Sequence, residues 1–577
     1  MQSNQEALCQ DRIKDHLARI YPDLDHQELA TQLLAIMGID AKNNTVAKRT
    51  NKWNEQDVWM ITYGDSVLQP DKRPLVSLKE FIDHRLSTLI NGVHILPFFP
   101  YSSDDGFSVI NYKQVNESLG EWQDIQAISN DYHLMADLVI NHCSARSQWF
   151  ENFKQRKDPG KEYFTEASLD DDLSMVVRPR TSELLKEVET LDGTRYVWCT
   201  FGHDQIDLDF SNPEVLCQMV HIIHHYLENG IRIFRLDAVA FLWKELGTDC
   251  IHLPQTHEVI RLLRTLIEAH TEDAVIITET NVPNVENLSY FGNANEAHAV
   301  YNFSLPPLVL HALLSGGSEH LKTWQMNMPP AQMGTFYFNF LASHDGIGLR
   351  PAEGLLSESE IDLLADTIQN FGGKVSWRSV EGGTRKPYEL NVTLFDALQG
   401  TFAGKDQWQI QRFLCAHAIM LSLEGVPGIY IHSFLATHNY LEGVEGTGHN
   451  RTINRFKWDY AELIDQLDSD THHAKVFQSL CELITIRRKQ AAFHPNAIQY
   501  TLHLGNDVFA FWRQSIQRDQ SIFCMHNVTD KKIEIPLTSV NLISLDNWSD
   551  LISGKHYDVS DTMVLEPYQF VWLSNKA

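Results

Sequence analysis

Five short blocks in this 577-residue chain bring together carboxylates, arginines and histidines of types that chemistry can use. They are Asp137-Leu138-Val139-Ile140-Asn141-His142, Arg235-Leu236-Asp237-Ala238, Thr278-Glu279-Thr280, Ser343-His344-Asp345-Gly346 and Asn450-Arg451-Thr452-Ile453-Asn454-Arg455. Arg235 and Asp237 stand two apart in a run that reads as a strand, so their side chains share one face. A cation beside a carboxylate favours the ionised form that a nucleophile needs. Glu279 follows the apolar run Val275-Ile276-Ile277, where partial desolvation lifts a carboxyl toward the range of a general acid. A nucleophilic carboxylate and a carboxylic acid on neighbouring strands fit double displacement at a sugar carbon with retained configuration. Asp345 is then a third carboxylate, hydrogen-bonded to sugar hydroxyls and holding the distorted ring of the transition state. His142 and His344 read as donors to those hydroxyls. Each residue taken singly has a plainer reading. Asp137 suits a helix cap, a lone Arg–Asp pair is often structural, and Asn141 is either a turn former or a vestigial metal ligand. Their joint occurrence, in order, at successive strand ends favours catalysis.

Something must hold these blocks at one end of a common scaffold. Candidate strands are Val58–Tyr63, Gly92–Phe98, His133–Ile140, Ile231–Leu236, Ala274–Thr278, Ala299–Phe303, Thr335–Ala342 and Gly428–His432, and stretches of helical spacing such as Pro213–Glu228 and Gln255–Ala269 lie between them. Strand–helix alternation repeated about eight times predicts an α/β chain folded as a parallel (β/α)8 barrel, with active-site groups at the carboxyl ends of the strands. Two intervals are too long for simple loops: 144–207 after the third strand and 346–405 after the seventh. The division expected is an N-terminal helical extension over 1–55, a barrel over 56–143 and 208–491 carrying those two insertions, and a small antiparallel β domain over 492–577. The last begins with the alternating runs Asp507–Arg513, Ser521–His526 and Lys532–Ile535. The extension carries no functional signal.

Composition narrows the classes further. Apolar residues make up 43% and charged residues 21%, the proportions of a soluble globular protein. A net charge of −28 argues against nucleic-acid binding, because a phosphate backbone would be repelled. No apolar run approaches a membrane span and no signal-peptide pattern opens the chain, so a cytoplasmic enzyme is expected. The eight cysteines lack metal-site spacing and read as buried free thiols.

The blocks resemble those of the α-amylase family of glycoside hydrolases, with its DxxxNH, RxDA, E and HD motifs intact. Val93–Pro100, Asp104–Phe107, Arg178-Pro179-Arg180, Phe303–His311 and His344–Gly348 are similar to sucrose phosphorylase and its close relatives, and the likeness runs from about residue 55 to 490. This resemblance implies Asp237 as nucleophile, Glu279 as acid/base and Asp345 as transition-state stabiliser. It implies Asp104, His142, Arg235, His344 and Arg451 around the glucose, Phe107 and Phe201 as an apolar wall, and Arg180 facing the acceptor or phosphate. The reaction implied passes glucose from a small α-glucoside to the enzyme and then to inorganic phosphate, giving α-glucose 1-phosphate without metal or organic cofactor. Besides the glucoside and phosphate no partner is implied, and a homodimer is left open.

The acceptor loops depart from sucrose phosphorylases. Val177 replaces the tyrosine before Arg-Pro-Arg, and Lys386-Pro387-Tyr388-Glu389 replaces Asp-Leu-Tyr-Gln, so a lysine stands where an acidic group contacts fructose. By position, Lys386, Tyr388 and Glu389 are expected around the acceptor. Lys374, Arg378, Arg385 and Lys386 would place four cations over the site of an acidic chain, which favours anion binding. The loop style resembles relatives that phosphorolyse 2-O-α-glucosylglycerate, 2-O-α-glucosylglycerol or sucrose 6'-phosphate, and the balance falls to glucosylglycerate with glucosylglycerol next. A hydrolase or transglucosidase shares the same glucose subsite. A silent scaffold subunit is the reading from another class, and the intact carboxylates speak against it.

Overall fold

In the computed structural model, which describes residues 9–39, 51–180, 182–379, 385–540, 542–543 and 547–576, eight runs of mostly apolar residues close into a parallel barrel. Its strands, in chain order, are Trp59–Thr62, Gly92–Ile95, His133–Val139, Ile231–Asp237, Val275–Thr278, Ala299–Tyr301, Phe336–Asn339 and Val426–Tyr430. Each pairs with its sequence neighbours and the last closes on the first. Being covered on both faces, these strands are buried along nearly their whole length rather than alternating.

The helix expected at Pro213–Glu228 has those bounds, and the one expected at Gln255–Ala269 spans Pro254–His270. The eighth strand begins two residues earlier than expected, at Val426, and Ile431–Phe434 is a helical turn. Pro427 and Gly428 read as punctuation in sequence, but Pro427 pairs with Asn339 inside the barrel. Gly428 belongs there for steric reasons: a Cβ on it would meet the Phe338 ring at 2.3 Å.

Register sets the level of each chemical group. Asp137 lies opposite Arg235, and Val139 opposite Asp237. Ile277 also lies opposite Arg235, and the Glu279 amide continues the ladder by donating to the Leu236 carbonyl at 3.1 Å. Asp137, Arg235, Asp237 and Glu279 therefore emerge together at the carboxyl end.

Between the third and fourth strands, His142–Ser144 pairs with Gln205–Asp207, and the hairpin Leu185–Thr190/Gly193–Trp198 lies beyond them. After the seventh strand comes a three-stranded sheet of Ile347–Gly348, Arg385–Asn391 and Lys374–Ser379, together with the helix Glu358–Asn370. Residues 380–384 of this loop lie outside the described residues, as do residues 1–8 and 40–50 of the N-terminal segment. In that segment helix Cys9–Ile20 docks on Pro254–His270, where His16 Nδ1 meets Glu258 at 2.6 Å and Arg19 reaches the same carboxylate at 2.9 Å. At the other end of the chain, a six-stranded antiparallel sheet packs on the helix Gln409–Ser422. Buried Arg513 joins the two by donating to the Ser422 carbonyl at 2.6 Å.

Candidate active site

The carboxyl end of the barrel opens into a pocket with Asp237, Glu279 and Asp345 in its lining. Arg235 lies beneath the floor, almost wholly buried. It donates to Asp137 and, at 2.9 Å, to Asp237, and its second amino group stands 3.9 Å from Glu279. Asp137 is held in turn by His94 at 2.7 Å. Alone it suited a helix cap; here burial pushes its carboxyl up, but Arg235 and His94 outweigh that and keep it below the ordinary range.

Asp237 and Glu279 share this field unequally. Burial pushes the Asp237 carboxyl up, Arg235 opposes the rise, and the charge of Glu279 adds to it. Burial raises Glu279 as well, with the charge of Asp345 adding. Arg235 donates directly to Asp237 at 2.9 Å but stands 3.9 Å from Glu279, so the anion is better stabilised at Asp237 and Glu279 is the better placed of the two to carry a proton. Ala238 sits in the left-handed region at φ 50°, an uncommon conformation for a side chain with a Cβ. It turns its N–H to Glu279 Oε2 at 3.1 Å.

Asp345 is held in the opposite sense. Burial raises it, but Arg451, His344 and Arg455 outweigh burial and hold it well below the ordinary carboxylate range. Arg451 Nη1 stands 2.6 Å away and is itself gripped by Glu389, whose carboxylate takes Nε at 3.1 Å. His344 stacks on Phe107 with ring centres 4.9 Å apart, and burial pushes its pKa down to about 3, so it is neutral. His142 places Nε2 2.9 Å from the Phe107 carbonyl and its ring 5.3 Å from Phe201. Asp104, on a short turn after the second strand, accepts from Gln205 Nε2 at 3.1 Å.

Eleven of the residues singled out above line this one pocket: Asp104, Phe107, His142, Arg180, Phe201, Asp237, Glu279, His344, Asp345, Tyr388 and Arg451. Glu389 faces the adjoining outer cleft with its carboxylate committed to Arg451. Lys386 is a correction. It sits two residues outward of Tyr388 on its strand, about 7 Å of backbone away, and its ammonium pairs with exposed Glu358 instead of lining the pocket. Arg378 is likewise taken by Glu353. Two of the four loop cations are thus taken by neighbouring glutamates, which sequence spacing does not show, and none of the four lines the pocket.

Four groups were missed. Arg350, Asn281 and Gln205 line the pocket, and the only signal for Arg350 was its place five residues after Asp345 in the same loop. The fourth is Lys244, buried beneath the site, with its ammonium 2.9 Å from Asp207 and 2.8 Å from the Asn141 oxygen. Asn141 therefore faces an ammonium ion supplied by the chain itself, and nothing in the spacing of residues 141, 207 and 244 announces that.

A barrel with three carboxylates converging at its carboxyl end defines a glycoside-processing class of enzyme. Residues 85–347 match the α-amylase catalytic domain. The chain is 42% identical to glucosylglycerate phosphorylase of Spirochaeta thermophila, over 90% of its length and 89% of the relative's. It is also 42% identical to glucosylglycerate phosphorylase of Escherichia coli, over 97% and 99%. Among solved structures it resembles sucrose 6F-phosphate phosphorylase from Thermoanaerobacter thermosaccharolyticum, with TM-score 0.72, 25% identity and coverage of 82% of this chain and 94% of that one. The chain belongs to the α-amylase family of glycoside hydrolases, in the branch that contains these phosphorylases.

Proposed function

We propose that the protein is a retaining glycoside phosphorylase that converts 2-O-α-glucosylglycerate and phosphate into glycerate and α-D-glucose 1-phosphate. Asp237 attacks C1 while Glu279 passes its proton to the departing glycerate oxygen, leaving a β-glucosyl ester on Asp237. An oxygen of hydrogen phosphate then displaces the Asp237 carboxylate at C1, and the proton of that phosphate returns to Glu279. Two inversions give net retention. Asp345, ionised under Arg451 and Arg455, stabilises the oxocarbenium-like ring in the transition state of each displacement, while Asp104, His142, Arg235, His344 and Arg451 shape the glucose subsite. Phe107 and Phe201 form its apolar wall.

The observation that carries the choice of acceptor is charge. Arg235, Arg451 and Arg455 are all paired with carboxylates. Arg180 and Arg350 line the same pocket and, among the described residues, neither has a carboxylate within ion-pair distance. Phosphate and glycerate are both anions, and they occupy this space in turn. We take 144–207, which supplies Arg180, and 346–405, which supplies Arg350 and Tyr388, as inserted units that together build the acceptor side. A cytoplasmic location agrees with eight unpaired cysteines, seven of them buried. Among the described residues no helix is long and apolar enough to cross a membrane.

The test is an acceptor screen with α-glucose 1-phosphate as donor and glycerate, glycerol, fructose, fructose 6-phosphate or water as acceptor. Phosphate release led by glycerate supports the proposal. A lead for glycerol or a fructose acceptor makes the protein a different phosphorylase, and equal release with water alone makes it a hydrolase or transglucosidase.

A further inference from the structure

We infer that Arg350 is the residue that reads the carboxylate of the glyceryl moiety and so sets specificity for it over uncharged glycerol, an inference that rests on the function just proposed. In 2-O-α-glucosylglycerate the glycosidic oxygen sits on the carbon next to the carboxylate. Whatever cation binds that carboxylate must therefore lie beside the acid that protonates this oxygen, which is Glu279. Arg350 meets this requirement through the packing of its own segment. Two residues before it, Gly348 lies so close to Asn281 that a Cβ there would stand 2.8 Å from the amide oxygen, and Asn281 is two residues beyond Glu279. The short strand Ile347–Gly348 is clamped to Arg385–Asn391, and the Ser304 hydroxyl donates to the Pro351 carbonyl at 2.9 Å, so Arg350 extends from a fixed backbone.

Arg180 and Arg350, both without an ion-pair partner among the described residues, divide the work by position. Arg180 borders both the inner pocket and the outer cleft, beside Asp104 and Arg451, on the route by which phosphate enters after glycerate has left. Arg350 borders the inner pocket and is absent from the cleft lining. Its Nε–H is buried, without an acceptor among the described residues. A carboxylate bound end-on, across the two amino groups, uses the planar fork of a guanidinium in a way an ammonium ion does not.

The experiment compares wild type, R350Q and R350K in transfer from α-glucose 1-phosphate to glycerate and to glycerol, with KM and kcat for each. Hydrolysis of α-glucosyl fluoride serves as an independent report on the integrity of the glucose subsite. A charge-assisted hydrogen-bonded pair predicts that the glycerate-to-glycerol preference falls about 10- to 100-fold in R350Q, mainly through KM for glycerate. R350K should recover only part, since it restores charge without the fork. If wild type prefers glycerate and both variants keep that preference, the assignment of Arg350 is overturned while the phosphorylase reading stands. If wild type itself does not take glycerate, the reading falls and the inference with it. A variant inactive toward α-glucosyl fluoride has lost its site as a whole, and R350K then decides: an active R350K with unchanged preference overturns the assignment.

Discussion

Replacing Glu279 by glutamine separates its role in proton transfer from its role in shape. The side chain is partly buried, accepts the Ala238 N–H at 3.1 Å and lies 3.9 Å from Arg235. Glutamine can keep that hydrogen bond through its amide oxygen, so the glucose subsite should survive while the transferable proton is lost. Glycerate leaves as a poor leaving group and needs the proton, whereas fluoride leaves from α-glucosyl fluoride without it. General-acid assistance is worth about 10²- to 10⁴-fold, or about 3–5 kcal/mol of barrier. Glu279→Gln should lose that much in kcat/KM for glucosylglycerate phosphorolysis and less than about tenfold for glucosyl fluoride with phosphate. The pH profile adds a second check. Burial raises the Glu279 carboxyl, so it stays protonated below that raised value and activity falls as pH rises through it. Glutamine has no such proton to lose, and the basic limb assigned to it should vanish for the slow substrate. Parallel steady-state measurements on both donors decide the matter. Equal losses would refute the acid/base assignment, because a purely structural defect does not discriminate by leaving group.

Three further outcomes are expected. Lys386→Ala should leave KM for phosphate and for glycerate within about twofold of wild type, because its pair with exposed Glu358 stands outside the pocket; a tenfold rise in either KM would return Lys386 to the site. Lys244→Met leaves Asp207 buried without its counter-charge, a defect that costs about 3–5 kcal/mol. Urea unfolding followed by fluorescence should show that loss, and a change below about 1 kcal/mol would contradict the buried pairing. Glu258 anchors the N-terminal helix. Burial raises its carboxyl, but hydrogen bonds from His16, Arg261 and Arg19 outweigh burial and depress it to about 2. A depressed carboxylate stabilises the fold above its unfolded value of about 4.3 and loses that contribution as pH falls toward 2. The stability gap between wild type and Glu258→Gln should therefore narrow between about pH 4 and pH 2, and a gap independent of pH in that window would refute the anchoring role of the charge.

Much of the site was legible because barrel chemistry is local in sequence. Asp137, Arg235, Asp237 and Glu279 each sit at or just beyond the end of an apolar strand, and a parallel barrel delivers all such ends to one face whatever the intervening helices do. Two-residue spacing alone placed Arg235 and Asp237 on a common side, and the structure sets them 2.9 Å apart. Eight strands and their parallel order follow from alternation of short apolar runs with amphipathic stretches. Strand ends were less legible: Val426-Pro427-Gly428 looks like a break until the Phe338 ring requires a glycine beside it.

Charge pairing in the loops was not legible at all. Lys386 and Arg378 carry the same formal charge as Arg180 and Arg350, yet Glu358 and Glu353 neutralise the first two, while the second two reach the pocket unpaired among the described residues. The same holds for Lys244, whose partners Asn141 and Asp207 are 103 and 37 positions away. The barrel, the three carboxylates and their shared face can be read from the order of residues, since they depend on strand period and on the common direction of parallel strands. Which cations are spent on neighbouring carboxylates and which remain for a substrate is settled by folding, because Coulomb pairing depends on distances of a few ångströms between segments that sequence does not order.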